Sequence, residues 1–121
     1  MTGGILVRVA IPTRDGQIEA VFSRAEEFTI YDVEIELVKS KGIAPLRGKE
    51  LGKFFVDEAI NAVICGRIRS GSRNILRLKH IELTYGVSGE ADDIMIRYLS
   101  GERLGNIDEN AFWSKAEEGL E

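Results

Sequence analysis

The chain has 121 residues, of which 44% are hydrophobic and 30% are charged, and its formal net charge is -4. These values fit one compact domain with its own core and exclude a mostly disordered chain, and no apolar run is long enough to cross a bilayer. The acidic balance argues against nucleic acid or a membrane as a partner of the whole surface, although it allows a local basic pocket.

The first predicted element is a central β-strand at Ile5–Ile11, because this run is β-branched and apolar on both faces and Pro12 follows it. The N-terminus lacks the basic start and small-residue cleavage site of a secretory signal, so we expect a cytoplasmic protein. A single cysteine, Cys65, excludes a disulfide within the chain.

The next segment, "EAVFSRAEE", is predicted to be a loop with one helical turn. Two β-rich runs in "FTIYDVEIELVKS" then predict a hairpin that turns around Asp32–Glu34. A turn at Pro45 precedes apolar residues at helical spacing, which predict an amphipathic helix from about Gly48 to Ala59.

Two strand–loop–helix units follow. The apolar "NAVICG" is a buried strand, and Ser70 is in an N-cap position for the helix after it, with Ile75 and Leu76 on the inner face. In the second unit, Ser88 is the predicted cap, and Gly101 closes the helix. Its apolar stripe consists of Ala91, Ile94, Met95, Tyr98 and Leu99.

The chain is expected to form one domain at residues 1–105 and a helical extension at residues 106–121. This extension begins its helix after Asp108 and packs on the same domain through Phe112 and Trp113.

The order of elements predicts a three-layer α/β/α domain, because each parallel crossover is right-handed and carries its helix across the sheet. If the first strand lies beside the "AVIC" strand, a ligand crevice forms beyond their carboxyl ends. Two loops are expected to meet there, "TRDGQ" and "CGRIRSGSR" (residues 65–73).

Four segments occur in this order: "VAIPTRDG", "FSRAEEFTIYDVE", "AINAVICGRIRSGSRNIL" and "VSGEADDIMIRYLSGERLG". With this order and spacing, the chain resembles the dinitrogenase iron-molybdenum cofactor biosynthesis family, the NifX-like and NifB C-terminal domains, over Val7–Gly105. The resemblance implies a ribonuclease H-like fold with a five-stranded mixed sheet. It also implies a non-catalytic role in binding or carrying an iron-sulfur or iron-molybdenum cluster precursor.

The sequence departs from the family pattern at two places. Val21 stands where members usually have a histidine, and Ser23 stands where they have a glycine. The common "GGIGPxA" loop is replaced by "CGRIRSGSR", which keeps Gly66 and Ile68. The departures indicate a specialised role for this chain.

Cluster precursors are anionic, so arginines beside the backbone N–H groups of a helix N-terminus form a suitable binding site for them. The candidate cofactor-binding residues are Arg24, Gly66, Arg67, Arg69, Ser70 and Arg73, which Arg14 could join. Cys65 is the candidate metal ligand, with a pKa expected to be lowered by the arginines; the alternative is a small core residue. Ser70 has the alternative role of a helix cap, and His80 is assigned to a helix end rather than to a metal.

Catalytic sites are not indicated. The strands "VRVAI" and "AVIC" carry no carboxylates for a two-metal nuclease. A nucleophile triad is not indicated, because His80 is the only histidine and the sequence has no "GxSxG" motif. A nucleotide-binding loop is not indicated either, because "GRIRSGSR" lacks the "GK[ST]" ending. The expected partners are a metallocluster donor or acceptor protein and a second copy in a homodimer. Two alternatives remain open: a regulatory or interaction module that kept the fold and lost cluster binding, and a domain that binds a small anion.

Overall fold

A mixed β-sheet of seven strands runs through the computed structural model, which describes residues 6–108 of the chain. The strands are β1 (Val7–Arg14), β2 (Gln17–Ile18), β3 (Glu27–Glu34), β4 (Leu37–Pro45), β5 (Ala62–Ile64), β6 (Glu82–Tyr85) and β7 (Asn106–Asp108). The helices are α1 (Leu51–Asp57), α2 (Ser70–Leu78) and α3 (Ala91–Leu99), and a short 3-10 helix spans Phe22–Arg24. The helical turn predicted before the hairpin is therefore confirmed. None of the described helices is long and apolar enough to span a membrane.

The strands follow the order β4-β3-β1-β5-β6-β7, and β2 pairs with β1. β1, β5 and β6 are parallel, whereas β3 runs antiparallel to β1. The pairing of the first strand with the "AVIC" strand, which was the condition for the predicted crevice, is present, because Val9 is opposite Ala62. The sheet has more strands than the five implied by the resemblance, since the short β2 and β7 are added. The ribonuclease H-like assignment stays a prediction.

Helices cover both faces of the sheet, as the α/β/α prediction requires. Side chains alternate between the faces along each strand, so Ala10 packs in the core under α1 and α2, and Val9 packs in the core under α3. The first core contains the ring of Phe54 and the side chain of Leu76, and the second contains Ile94.

β1 continues three residues beyond its predicted end at Ile11 and includes Pro12, which is opposite Phe28. A proline is tolerated there because β5 pairs with β1 only at Val9 and Ala10, so no strand needs an N–H from Pro12. The carbonyl of Pro12 accepts a hydrogen bond from the Glu19 N–H at 2.8 Å. The prediction that Pro12 ends the strand was wrong.

The predicted hairpin is confirmed as β3 and β4, but its turn is at Ile35 and Glu36 rather than around Asp32–Glu34. Both turn residues have left-handed backbone conformations, with φ of 49° and 63°, which is the twist that a two-residue hairpin turn requires. α1 lies within the predicted Gly48–Ala59 range and is shorter at both ends.

Neither predicted serine cap is found. Ser70 is the first residue of α2, and the N-cap residue is Arg69. α3 begins at Ala91 after Glu90, two residues later than a cap at Ser88 requires. The apolar stripe of α3 is confirmed, with Ala91, Ile94 and Met95 buried and Tyr98 and Leu99 partly buried.

The C-terminal part of the chain begins differently from the prediction, since residues 106–108 form β7 beside β6. Residues 109–121, where the helix after Asp108 and the contacts of Phe112 and Trp113 are predicted, lie outside the described residues. The division into residues 1–105 and 106–121 stays a prediction.

Candidate functional site

A cavity of about 260 Å³ lies beyond the carboxyl end of β5, where the chain turns toward α2. It is lined by Val21, Ser23, Arg24, Arg67, Arg69 and Ser72. We call it the arginine cavity. Three of its six lining side chains are guanidinium groups, and two others are hydroxyls, so hydrogen-bond donors dominate its surface.

Two segments that are distant in sequence form the arginine cavity by close backbone contact. The Arg67 N–H donates to the Ala20 carbonyl at 2.9 Å, and the Phe22 N–H donates to the Arg67 carbonyl at 2.8 Å. Gly66 permits this approach, because a Cβ there would lie 2.5 Å from the Ala20 oxygen. A glycine is therefore required where the two segments touch.

The 3-10 helix that carries Arg24 is anchored in the core. Phe22 is buried, and its ring packs edge-on against Phe28 with centroids 5.9 Å apart. Because Phe22 holds this helix in place, Arg24 faces the same cavity as Arg67 and Arg69.

In the described part of the chain, no carboxylate forms an ion pair that compensates the charge of the arginine cavity. Among residues 6–108, neither Arg24, Arg67 nor Arg69 forms an ion pair within 4.0 Å. All three are exposed. Arg69 is also the N-cap residue of α2, whose first backbone N–H groups have no partner within the helix. The positive end of the helix dipole therefore adds to the charge of the arginines.

Two other predicted arginines are placed elsewhere. The Arg14 Nε is 3.0 Å from the Glu19 carboxylate, and Arg14 lies in a groove with Asp15, Glu26 and Glu27. The Arg73 guanidinium lies over the ring of Tyr85, with its carbon 5.1 Å from the ring centroid. Neither lines the arginine cavity.

The predicted meeting of "TRDGQ" with the arginine loop is wrong. The Gly16 carbonyl accepts from the Ala91 N–H at 2.9 Å, and the Ile18 N–H donates to the Gly89 carbonyl at 2.8 Å. The "TRDGQ" turn therefore contacts the start of α3. It is the following segment, residues 20–24, that meets the loop of Gly66 and Arg67.

Cys65 directly follows β5, and its side chain is fully buried in the core under α1 and α2. Burial raises the pKa of its thiol to about 12, so the expected lowering of this pKa by the arginines does not occur. Within residues 6–108, no three His, Cys, Asp or Glu side chains are grouped to hold a metal ion. Cys65 as a metal ligand stays a prediction, and this environment favours its alternative role in the core.

The remaining predicted residues are near the loop but differ in access. Ser70 is exposed at the first position of α2 and does not line the cavity. His80 follows the opposite end of α2 from the cavity, with a left-handed φ of 58°. Ser72 was not predicted, although it stands three residues after Arg69 and so shares its face of the helix.

The family described as "Dinitrogenase iron-molybdenum cofactor" has a sequence profile that matches residues 6–101. This match confirms the resemblance drawn from the four motifs. No curated protein sequence matches the chain.

Solved structures share the fold. PH0822 is 27% identical, with a TM-score of 0.75, covering 85% of this chain and 96% of its own. A protein of Methanocaldococcus jannaschii, MJ0327, bears the provisional name dinitrogenase; it is 25% identical, with a TM-score of 0.73, covering 88% of this chain and 98% of its own. A Thermotoga protein with the provisional name NifB is 19% identical, with a TM-score of 0.65 over 82% of this chain and 92% of its own, and shows the fold alone.

Proposed function

Because this chain belongs to the dinitrogenase iron-molybdenum cofactor family, we propose that it is a non-catalytic carrier that holds an anionic cluster precursor in the arginine cavity. The family links the chain to the biosynthesis of this cofactor. The cargo we propose is an iron-sulfur or iron-molybdenum precursor. The observation that carries the proposal is the convergence of Arg24, Arg67 and Arg69 on one cavity without carboxylate partners among residues 6–108.

The physical basis is charge-assisted hydrogen bonding. Guanidinium groups present planar forks of N–H donors that bind anions strongly and with defined geometry. Ser23 and Ser72 add hydroxyl donors, and the N-terminus of α2 adds a fixed dipole of the same sign. Each of these groups attracts the outer, negatively charged atoms of a cluster rather than its metal ions.

The donor set therefore favours a cargo that keeps its own sulfide or oxide ligands. Val21 stands in the cavity wall where family members usually place a histidine, and an alkyl side chain offers no metal ligand. Cys65 would have to leave the core and lose a tightly held proton to bind iron. Retention by outer contacts also suits a carrier, since release to an acceptor breaks no bond between protein and metal.

The remaining parts of the proposal follow from this role. The chain would receive the cluster from one protein and pass it to another in the cytoplasm, and we retain the homodimer as part of the proposal. Gly66 would maintain the backbone contact that forms the cavity, Ser70 would contribute a backbone N–H at the start of α2, and Arg73 would contribute to the surrounding positive charge. The ribonuclease H-like topology would serve only as the scaffold.

Anaerobic reconstitution with iron and sulfide tests the proposal. The expected result is visible charge-transfer absorption that stays with the protein on gel filtration. In Arg67→Ala, removal of one charge-assisted contact of about 1.5–3 kcal/mol lowers the affinity for the cluster roughly 10- to 150-fold. Added salt should weaken binding by screening the exposed arginines.

Two variants serve as controls. Arg14→Ala removes an arginine that is paired with Glu19 outside the cavity, and its cluster binding should equal that of the unmodified protein. Cys65→Ala distinguishes the two possible binding sites, the arginine cavity and the Cys65 thiol. Retained absorption supports the arginine cavity, and lost absorption assigns the cluster to the thiol. A protein that stays colourless in every preparation contradicts the carrier function.

One observation favours a second candidate function. The absence of a metal-ligating group of side chains among residues 6–108 is what a regulatory or interaction module without a cluster would show. That module would self-associate or bind a protein partner and remain colourless under anaerobic reconstitution. If the cavity instead serves a small anion, phosphate or a nucleotide should raise the melting temperature, and Arg67→Ala should abolish the shift.

A further inference from the structure

Strand β4 forms one edge of the described sheet and is exposed along its length. It has nine residues and pairs with β3 on one side, and no described strand pairs with its other side. Every residue of β4 except Ala44 is exposed. The strand at the opposite edge, β7, has three residues. β4 therefore presents the longer row of backbone N–H and C=O groups to which another strand can add.

The pairing with β3 determines which backbone groups of β4 point outward. Leu46, just after β4, donates its N–H to the carbonyl of Glu26 at 2.9 Å. Hydrogen-bonded and non-hydrogen-bonded pairs alternate along antiparallel strands, and the register has no irregularity between this bond and Lys41. Lys41 and Ile43 therefore direct their N–H and C=O groups away from β3. Pro45 has the same orientation, which a residue without an N–H tolerates on an edge strand.

Gly42, between these two residues, is not required by the packing or the backbone of a single copy. Its φ is outside the left-handed region, and a Cβ there would have no neighbour within 4 Å. Glycine weakens the interior of a strand, and it often marks a place where another backbone approaches closely. Gly42 therefore fits a strand that is approached from outside the chain.

We propose that two copies of the chain pair through β4 in antiparallel orientation, about a twofold axis at Gly42. The inference rests on the homodimer retained in the proposed function and assigns its interface. Lys41 of each copy lies opposite Ile43 of the other, and both residues exchange N–H···O=C bonds because their backbone groups point outward. The two Gly42 residues form the more closely spaced, non-hydrogen-bonded pair between them.

The residues of β4 select this register over its neighbours. An axis at Lys41 places two like charges directly opposite each other, which destabilises a strand pair. An axis at Ile43 places Lys41 opposite Pro45, which has no N–H to donate. Of these three registers, the axis at Gly42 alone gives Lys41 both an uncharged neighbour and its hydrogen bonds.

The electrostatics of the edge favour a second copy over a charged peptide. Lys41 is the only charged residue of the paired segment, residues 40–45, and its ammonium is 2.8 Å from the Asp92 carboxylate. The segment therefore has no unbalanced charge that would select an acidic or a basic strand. A second β4 meets this condition, and it packs Ile43, which is 62% exposed, against the aliphatic part of the Lys41 side chain.

Sedimentation equilibrium of the metal-free protein over a range of concentrations tests the interface, and we expect a monomer–dimer equilibrium. Ile43→Lys places a lysine opposite Lys41 at both symmetric pairs, whereas Ile43→Glu places a carboxylate there. Like and unlike charges opposite each other have opposite effects on a strand pair. The dissociation constant of the Ile43→Lys dimer should therefore exceed that of Ile43→Glu by about tenfold or more. Because Ile43 is largely exposed, circular dichroism should show an unchanged fold for both variants.

The matched control is Ile107→Lys, which changes an exposed isoleucine on the opposite edge strand, β7, and should leave the dissociation constant unchanged. Equal dissociation constants for Ile43→Lys and Ile43→Glu, or a dimer that Ile43→Lys does not weaken, overturn the proposal. A protein that is monomeric at every concentration also overturns it and leaves the edge to a strand of another protein. Since no cluster is present in these measurements, their failure would not be a failure of the carrier function.

Discussion

Replacing Gly66 with alanine should separate the two segments that form the arginine cavity. The added Cβ would lie 2.5 Å from the Ala20 carbonyl oxygen and 3.0 Å from the Glu19 carbonyl oxygen, against an ordinary contact of at least 3.4 Å. Both neighbours are backbone atoms, so rotation of a side chain cannot relieve the contact. The segment at residues 19–24 has to move by about 1 Å.

The cost can be worked out from the bonds that this movement breaks. The hydrogen bonds of Arg67 N–H to Ala20 and of Phe22 N–H to Arg67 are 2.9 and 2.8 Å long, and each contributes about 0.5–1.5 kcal/mol. Overpacking costs typically 1–3 kcal/mol where the structure must shift. We therefore expect Gly66→Ala to lower the free energy of unfolding by about 2–6 kcal/mol and to weaken binding of the cavity's ligand.

Gly71→Ala is the matched control, because a Cβ at Gly71 in α2 has no neighbour within 4 Å. It should raise the free energy of unfolding by up to about 1 kcal/mol through helix propensity. Urea denaturation of the two variants measures the difference. If Gly66→Ala unfolds at the same urea concentration as the unmodified protein, the close backbone approach does not hold the cavity together.

Two further predictions concern titrating groups. Arg8 donates to both oxygens of Asp32 at 2.8 and 3.2 Å and holds the pKa of this carboxyl below its usual value. Asp32→Asn should therefore lower the free energy of unfolding by about 1 kcal/mol at neutral pH. Urea denaturation should show this difference shrinking as the pH falls through the lowered pKa, because protonation then neutralises Asp32 in the unmodified protein as well. Burial raises the pKa of Cys65 from 9.0 to about 12, so the folded state holds this proton more tightly than the unfolded chain. The stabilisation it gives is present below pH 9 and is lost as the pH rises toward 12, a slope that Cys65→Ala should remove; equal pH profiles for both proteins would contradict it.

The sequence by itself determined the layered α/β architecture and the location of the arginine loop. Alternating and helical apolar patterns identified the buried strand before Cys65 and the stripe of α3, because burial of one face imposes these periods on any sequence. The sequence also predicted that Arg24 and the arginines of the loop lie near one crevice, since the loops after parallel strands meet at one edge of a sheet, but it included Arg14 and Arg73 in that group.

The tertiary structure alone decided which of the arginines share the cavity. Arg14 and Arg73 have the same side chain as Arg67, but Arg14 forms an ion pair with Glu19 and Arg73 lies over the ring of Tyr85. The local sequence does not specify which partner each arginine meets. The same holds for Pro12, which is tolerated inside β1 because β5 is short. It also holds for Cys65, whose thiol keeps its proton because the surrounding core excludes water. Contacts with distant segments override the structural preferences of the local sequence at each of these positions.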